Sequence, residues 1–156
     1  MSTATIQELE PKTIKTIQEL IQINLDSAQG FEDASTKITN RDRIELFMVF
    51  AEQHRTNAMR LKEIVKLNDE EPIEEGSYAA AMHRAWLNVR STLNGNDPHV
   101  VFVEAERGEA AISDAYKAAV NETLASPVHD LLLAQYDFVR KCHSRIMEIR
   151  DVLARK

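Results

Sequence analysis

Four long stretches of helical periodicity are joined in this chain by connections of very unequal length, and that inequality restricts its topology more than any other feature. Apolar residues at Ile14, Ile17, Ile21, Leu25 and Ala28 recur with helical spacing behind Pro11, which suits a first turn where its missing N–H would be unpaired anyway. This first pattern runs to about Ile38. Asn40 is placed to cap a second stretch bearing Leu46, Phe47, Phe50, Leu61, Ile64 and Val65, which fades at Lys66-Leu67-Asn68. Asp97-Pro98 opens a third stretch lasting to about Leu124, and Ser126-Pro127 opens a fourth that runs nearly to the C-terminus. Period-two alternation is absent, and 4 Gly and 4 Pro are too few for the turns of an all-β fold. The predicted class is all-α.

Few residues separate the first two helices, and few separate the last two, so each pair is expected to form an antiparallel hairpin. Between the pairs lie roughly 30 residues, enough to traverse a bundle and carry a helix of their own. Ser77 is placed to cap that crossover helix, which extends to about Leu93 before Asn94-Gly95-Asn96 breaks it. An antiparallel four-helix bundle with one long, helix-containing crossover between helices two and three is the ferritin-like arrangement. At 156 residues the chain fits a single domain, 1–156, with 1–10 expected as a flexible N-terminal extension.

A net charge of -6 excludes general nucleic-acid binding, which needs a basic face to displace counterions, and gives no attraction to an anionic membrane. The longest apolar run, Leu46 to Ala51, is far too short for a membrane span. One cysteine, Cys142, permits no intramolecular disulfide and points to a reducing compartment; with no signal sequence at the start, the expected location is cytoplasmic.

Turning each helix by about 100° per residue picks out the polar groups on its apolar face. Glu32 falls in a row with Leu25 and Ala28, near Asn24 and Ser35. Glu109 falls in a row with Phe102, Ala105, Ile112 and Tyr116, and the two glutamates match when the helices are aligned 77 positions apart. A second alignment, 85 positions apart, matches Arg60–Ile64 with Arg145–Ile149. Helix two offers His54 and Asn57; helix four offers Gln135 and Cys142, with His143 at the edge of its stripe. Buried carboxylates must be paired or coordinate a metal. Di-iron bundles take one Glu from each of two helices and Glu-x-x-His from each of the other two. Here the latter places hold His54-x-x-Asn57 and Val139-x-x-Cys142. The favoured reading is a buried polar layer of Glu32, Glu109, His54, Asn57, Gln135 and Cys142 that fixes helix register. The alternative is a bound metal, iron or another divalent ion such as manganese, held by Glu32, Glu109 and His54 or His143. Trp86, in a row with Met82, Val89 and Leu93, is expected to anchor the crossover to the bundle or to serve as a partner-binding anchor.

Several stretches taken together resemble a known group: Asp26-x-x-x-Gly30-Phe31, His83-Arg84-Ala85-Trp86, Glu104-Ala105-Glu106-Arg107-Gly108-Glu109 with Tyr116, and Gln135-Tyr136 … His143 … Arg150-Asp151. From about Ile14 to Asp151 the chain resembles an uncharacterised bacterial family of ferritin-like four-helix-bundle proteins, a domain of unknown function. The resemblance implies the fold and no reaction. The expectation is a non-enzymatic, stress-related bundle with a degenerate di-metal site and no cofactor, forming a homodimer or higher oligomer through an exposed face. A metal-binding protein and a partner-binding helical module are the rivals.

Overall fold

The computed structural model describes residues 6–73 and 97–155; the expected crossover helix and Trp86 lie outside the described residues. Four helices are present and no strand among the described residues: α1 (Pro11–Ser35), α2 (Arg41–Leu67), α3 (Pro98–Glu122) and α4 (His129–Ala154).

Local chemistry sets most of these boundaries. Pro11 starts α1 as anticipated. The Asn40 Oδ1 accepts from the Arg43 N–H at 3.1 Å, and Asp42 and Lys66 sit at the helix ends where the α2 dipole favours them. Asp97 caps α3 by accepting from the His99 N–H at 3.0 Å, with Pro98 behind it. Beyond α2, Asp69 takes a positive φ of 59°, a conformation its short polar side chain tolerates. The Glu70 N–H then returns to the Val65 carbonyl at 3.2 Å and closes the helix. The Ser126-Pro127 start is displaced: Ser126 Oγ accepts from the Val128 N–H at 3.3 Å, making a separate turn, and α4 begins at His129. Helices α1 and α3 end at Ser35 and Glu122, shortly before their apolar patterns do: Ile38 lies beyond the turn that follows α1, and Leu124 lies in the turn that follows α3.

Within the expected extension, residues 6–9 lie against the bundle. Asn68 donates to the Ile6 carbonyl at 2.6 Å and accepts from the Leu9 N–H at 2.9 Å, while Ile6 and Leu9 pack against the core. At the same end Gln18 bonds Glu71 and Ile73 through backbone groups, and Thr16 donates to Glu122 at 3.4 Å. At the other end Arg43 and Leu46 of α2 share a groove with Ile149 and Val152 of α4.

Packing runs α1 along α2, α3 along α4, and α1 against α3. The α2 and α4 backbones stay farther apart and meet through side chains, with the His54 and Phe138 rings 5.5 Å apart. Through the centre Phe31 packs tilted against Phe47 at 5.6 Å between centroids, and Phe47 stacks on Phe102 at 4.7 Å.

One offset registers both helix pairs. At 85 positions, Ile17, Asn24 and Phe31 of α1 correspond to Phe102, Glu109 and Tyr116 of α3, and all are buried. The same offset sets Phe47, His54 and Leu61 of α2 against Leu132, Val139 and Ile146 of α4, again all buried. The 77-position alignment fails for α1 and α3, since Leu25 and Glu32 are only half-buried whereas Phe102 and Glu109 are fully buried. The pairs differ along one face. Where α1 and α2 bury Ile21, Ala58 and Val65, α3 and α4 carry Glu106, His143 and Arg150, each about a quarter exposed and joined in an ionic cluster.

Candidate functional site: a polar layer across four helices

Each helix contributes one or more polar side chains to a single hydrogen-bonded layer in the middle of the core. On α1, Leu20, Asn24, Ala28 and Phe31 recur at three- and four-residue steps, so Asn24 lies in the apolar stripe itself. On α2, His54 lies one turn beyond Phe50, and its ring stacks on Phe31 at an interplanar angle of 13°. Glu109 and Tyr116 lie two turns apart on one face of α3, and Gln135 projects from α4. Asn24, His54, Glu109 and Tyr116 are wholly buried, and Gln135 nearly so.

Bond directions follow from one fixed acceptor. The Leu20 carbonyl, 2.8 Å from Asn24, can only accept, so the Asn24 NH₂ faces it and also donates to the Tyr116 hydroxyl at 2.7 Å. Asn24 Oδ1 therefore faces His54 Nδ1 at 2.8 Å and accepts a hydrogen bond from its N–H. With Nδ1 protonated, His54 Nε2 meets Glu109 Oε1 at 3.0 Å across a single shared proton, carried on the imidazole or on the carboxyl. From Tyr116 the layer continues through its hydroxyl, which donates to Gln135 Oε1 at 2.8 Å; Gln135 Nε2 then donates to the Asn57 carbonyl at 3.4 Å. Burial pushes the Tyr116 phenol well above its ordinary range, with the neighbouring Glu109 charge acting the same way against the lowering effect of Asn24. Burial also pushes the Cys142 thiol far up, again helped by Glu109, so this cysteine is an inert core residue. Two atoms of the layer have no partner: Glu109 Oε2 and Asn57 Nδ2.

The expected residues divide. His54, Glu109, Gln135 and Cys142 are buried at the layer; Asn57 is half-buried and joins it through its carbonyl. Glu32 is corrected: its side chain is 32% exposed and ion-paired with Arg55, outside the layer. The reason is rotation. Glu32 is one residue past Phe31 and therefore about 100° from the centre of the stripe. His143 is also apart, 3.1 Å from Glu106 on the outer face of α3 and α4. The four side chains expected as alternative ligands are thus not gathered: Glu32 and His143 are each bonded elsewhere. Among the described residues no group of three or more His, Cys, Asp or Glu is placed to hold a metal ion. The side chain that sequence reasoning undervalued is Asn24, whose signal was its four-residue spacing from both Leu20 and Ala28.

A family model described as Domain of unknown function (DUF2383) matches residues 12–122. The chain belongs to this family. No match was found among curated proteins or among solved structures. The DUF2383 match takes in α1, α2 and α3, which supply Asn24, His54, Glu109 and Tyr116, and stops before α4 and Gln135. Among the described residues no helix is long and apolar enough to cross a membrane.

Proposed function

We propose that this DUF2383 protein is a non-enzymatic, ferritin-like bundle whose core holds a hydrogen-bonded polar layer where related architectures hold two metal ions. In this reading the helices run antiparallel, with residues 74–96 as the long crossover. Contacts between the start of α1 and the ends of α2 and α3, and between the start of α2 and the end of α4, support that arrangement. The protein is bacterial, cytoplasmic and stress-related, and it acts through what it associates with.

The observation that carries the reading is the correspondence at 85 positions. A di-iron bundle needs one ligand from each of two helices and an i, i+3 pair from each of the others. The equivalent places here are Asn24, Glu109, His54-x-x-Asn57 and Val139-x-x-Cys142. One carboxylate stands in place of four, too little negative charge for two ferric ions. Both nitrogens of the one imidazole are engaged by Asn24 and Glu109. A single observation favours the rival metal-binding reading: Glu109 Oε2 is buried with a free lone pair. Elemental analysis of protein purified without chelator decides between them. The polar-layer reading expects substoichiometric iron, manganese and zinc, unchanged in Glu109→Gln. Near-stoichiometric metal that disappears in Glu109→Gln would overturn it.

A further inference from the structure

Two short segments are pinned to the same end of the bundle, each by one side-chain amide. Asn68, which ends α2, donates to the Ile6 carbonyl at 2.6 Å and accepts from the Leu9 N–H at 2.9 Å. It also donates to the Ile64 carbonyl at 2.8 Å, so both donors of its amide are used. Gln18, early in α1, donates to the Glu71 carbonyl at 2.8 Å and accepts from the Ile73 N–H at 2.7 Å. Pro72 between them has no N–H to offer, and its fixed φ stiffens the segment. The arrangement is reciprocal: an α2 residue holds the segment leading into α1, and an α1 residue holds the segment leading out of α2. Each amide bonds one carbonyl and one N–H of its segment, as a neighbouring peptide group would. Each thereby seats apolar side chains against the core, Ile6 and Leu9 in one case and Ile73 in the other.

We propose that these are two independent latches, each closing one strap over the end of the bundle, and each able to open while the other strap and the four helices stay in place. A strap held by a pair of neutral hydrogen bonds and one or two partly buried apolar side chains belongs at the weak end of the range of local opening. The helices, in contrast, are held by the whole core. Among the described residues the two latches share no residue and no hydrogen bond, so no bond ties the release of one to the release of the other. Opening either strap exposes apolar surface at this end and leaves the bond between His54 and Glu109, farther along the helices, unbroken. The inference does not depend on whether the core binds metal.

Native-state hydrogen exchange of the full chain, read amide by amide by NMR, tests it. After correction for intrinsic rates, Leu9 and Ile73 are expected to exchange on the order of 100-fold faster than Leu61, which is wholly buried in α2. Asn68→Ala is expected to speed Leu9 on the order of tenfold and leave Ile73 unchanged, and Gln18→Ala to do the reverse. Gln18 caps no helix, so its variant reads both amides even if losing the Asn68 cap affects folding. Leu9 or Ile73 exchanging as slowly as Leu61 would overturn the inference, because that strap would then open only with the whole fold. So would either variant speeding both amides alike, or leaving the amide of its own strap unchanged.

Discussion

Replacing His54 and Glu109 singly and together tests whether the layer is one interacting unit or a set of independent buried groups. His54→Leu leaves the Glu109 carboxylate wholly buried with no partner on either oxygen, and orphans Asn24 Oδ1 as well. Uncompensated burial of that kind costs about 3–5 kcal/mol. Glu109→Met keeps the volume and leaves His54 Nε2 without its partner, a cost of about 1–3 kcal/mol. In the double variant the charge and the imidazole leave together, and only Asn24 Oδ1 stays unpaired, so the cost falls to about 2 kcal/mol. The singles together therefore exceed the double by about 2–6 kcal/mol, at or above the upper end of measured pairwise couplings. Urea unfolding followed by far-UV circular dichroism, with chelator present throughout, measures all four corners. A domain stability of about 5–15 kcal/mol leaves each single variant folded enough to measure. If the double costs the sum of the singles to within about 0.5 kcal/mol, the bond between His54 and Glu109 does not exist as described.

Tyr116→Phe removes the hydroxyl joining Asn24 to Gln135 and is expected to cost about 1–3 kcal/mol at neutral pH in the same assay; no measurable loss would detach Tyr116 from the layer. The alkaline limb has a definite sign. The unfolded chain loses the Cys142 and Tyr116 protons near their ordinary values of 9.0 and 10.0, whereas the folded chain holds both upward. The contribution of these two groups is thus fully present below pH 9.0 and is lost at about 1.4 kcal/mol per pH unit for each group once the pH passes its unfolded value. Tyr116→Phe is expected to remove the part of this slope beginning near pH 10.0, as read by thermal unfolding across pH; an unchanged slope would refute the assignment. Arg55→Ala breaks only the half-exposed pair with Glu32 and is expected to cost about 0–1 kcal/mol. Restoring carboxylates and imidazoles by Asn24→Glu, His54→Glu, Asn57→His, Val139→Glu and Cys142→His is expected to give a protein that binds two divalent ions in calorimetry; no binding by the folded variant would argue against the positional correspondence.

Helix existence was legible because each helix carries a long apolar stripe and most carry a conventional start: Pro11, Asn40 and Asp97 act as their residue types require. The start of α4 was misread by two residues since Ser126 caps the turn before the helix rather than the helix. In the layer, His54 and Glu109 could be found from spacing because each is flanked a turn away by large buried residues. Glu32 could not be placed correctly from a short row. Leu25 and Ala28 suggested a stripe, but Leu25 lies at its margin, and an error of about 100° carries a side chain from core to surface. Asn24 was harder still. Its role depends on the Tyr116 hydroxyl and the His54 ring, which come from 92 and 30 positions away. No periodicity within α1 contains that information.

The 85-position correspondence explains why the layer needs unlike halves. Equivalent places in the two helix pairs hold Asn24 and Glu109, Phe31 and Tyr116, His54 and Val139. Were the halves identical, two carboxylates would face each other without a donor, or two amides and two imidazoles would compete for the same acceptors. Instead, the α1–α2 pair supplies Asn24 and His54, and the α3–α4 pair supplies Glu109, Tyr116 and Gln135. Bonds from Asn24 to Tyr116 and from His54 to Glu109 cross between the pairs, and neither pair can satisfy its own polar groups alone. Burying them apart would cost about 1–3 kcal/mol for each neutral group left unbonded, and more for the carboxylate. Hydrophobic burial along α1 and α3 would tolerate a slide of one pair past the other by a helical turn. The polar layer does not, because a one-turn slide of about 5.4 Å breaks both crossing bonds at once. The layer therefore selects one register among several that the apolar stripes would accept, a structural task that one unlike residue in each half is enough to perform.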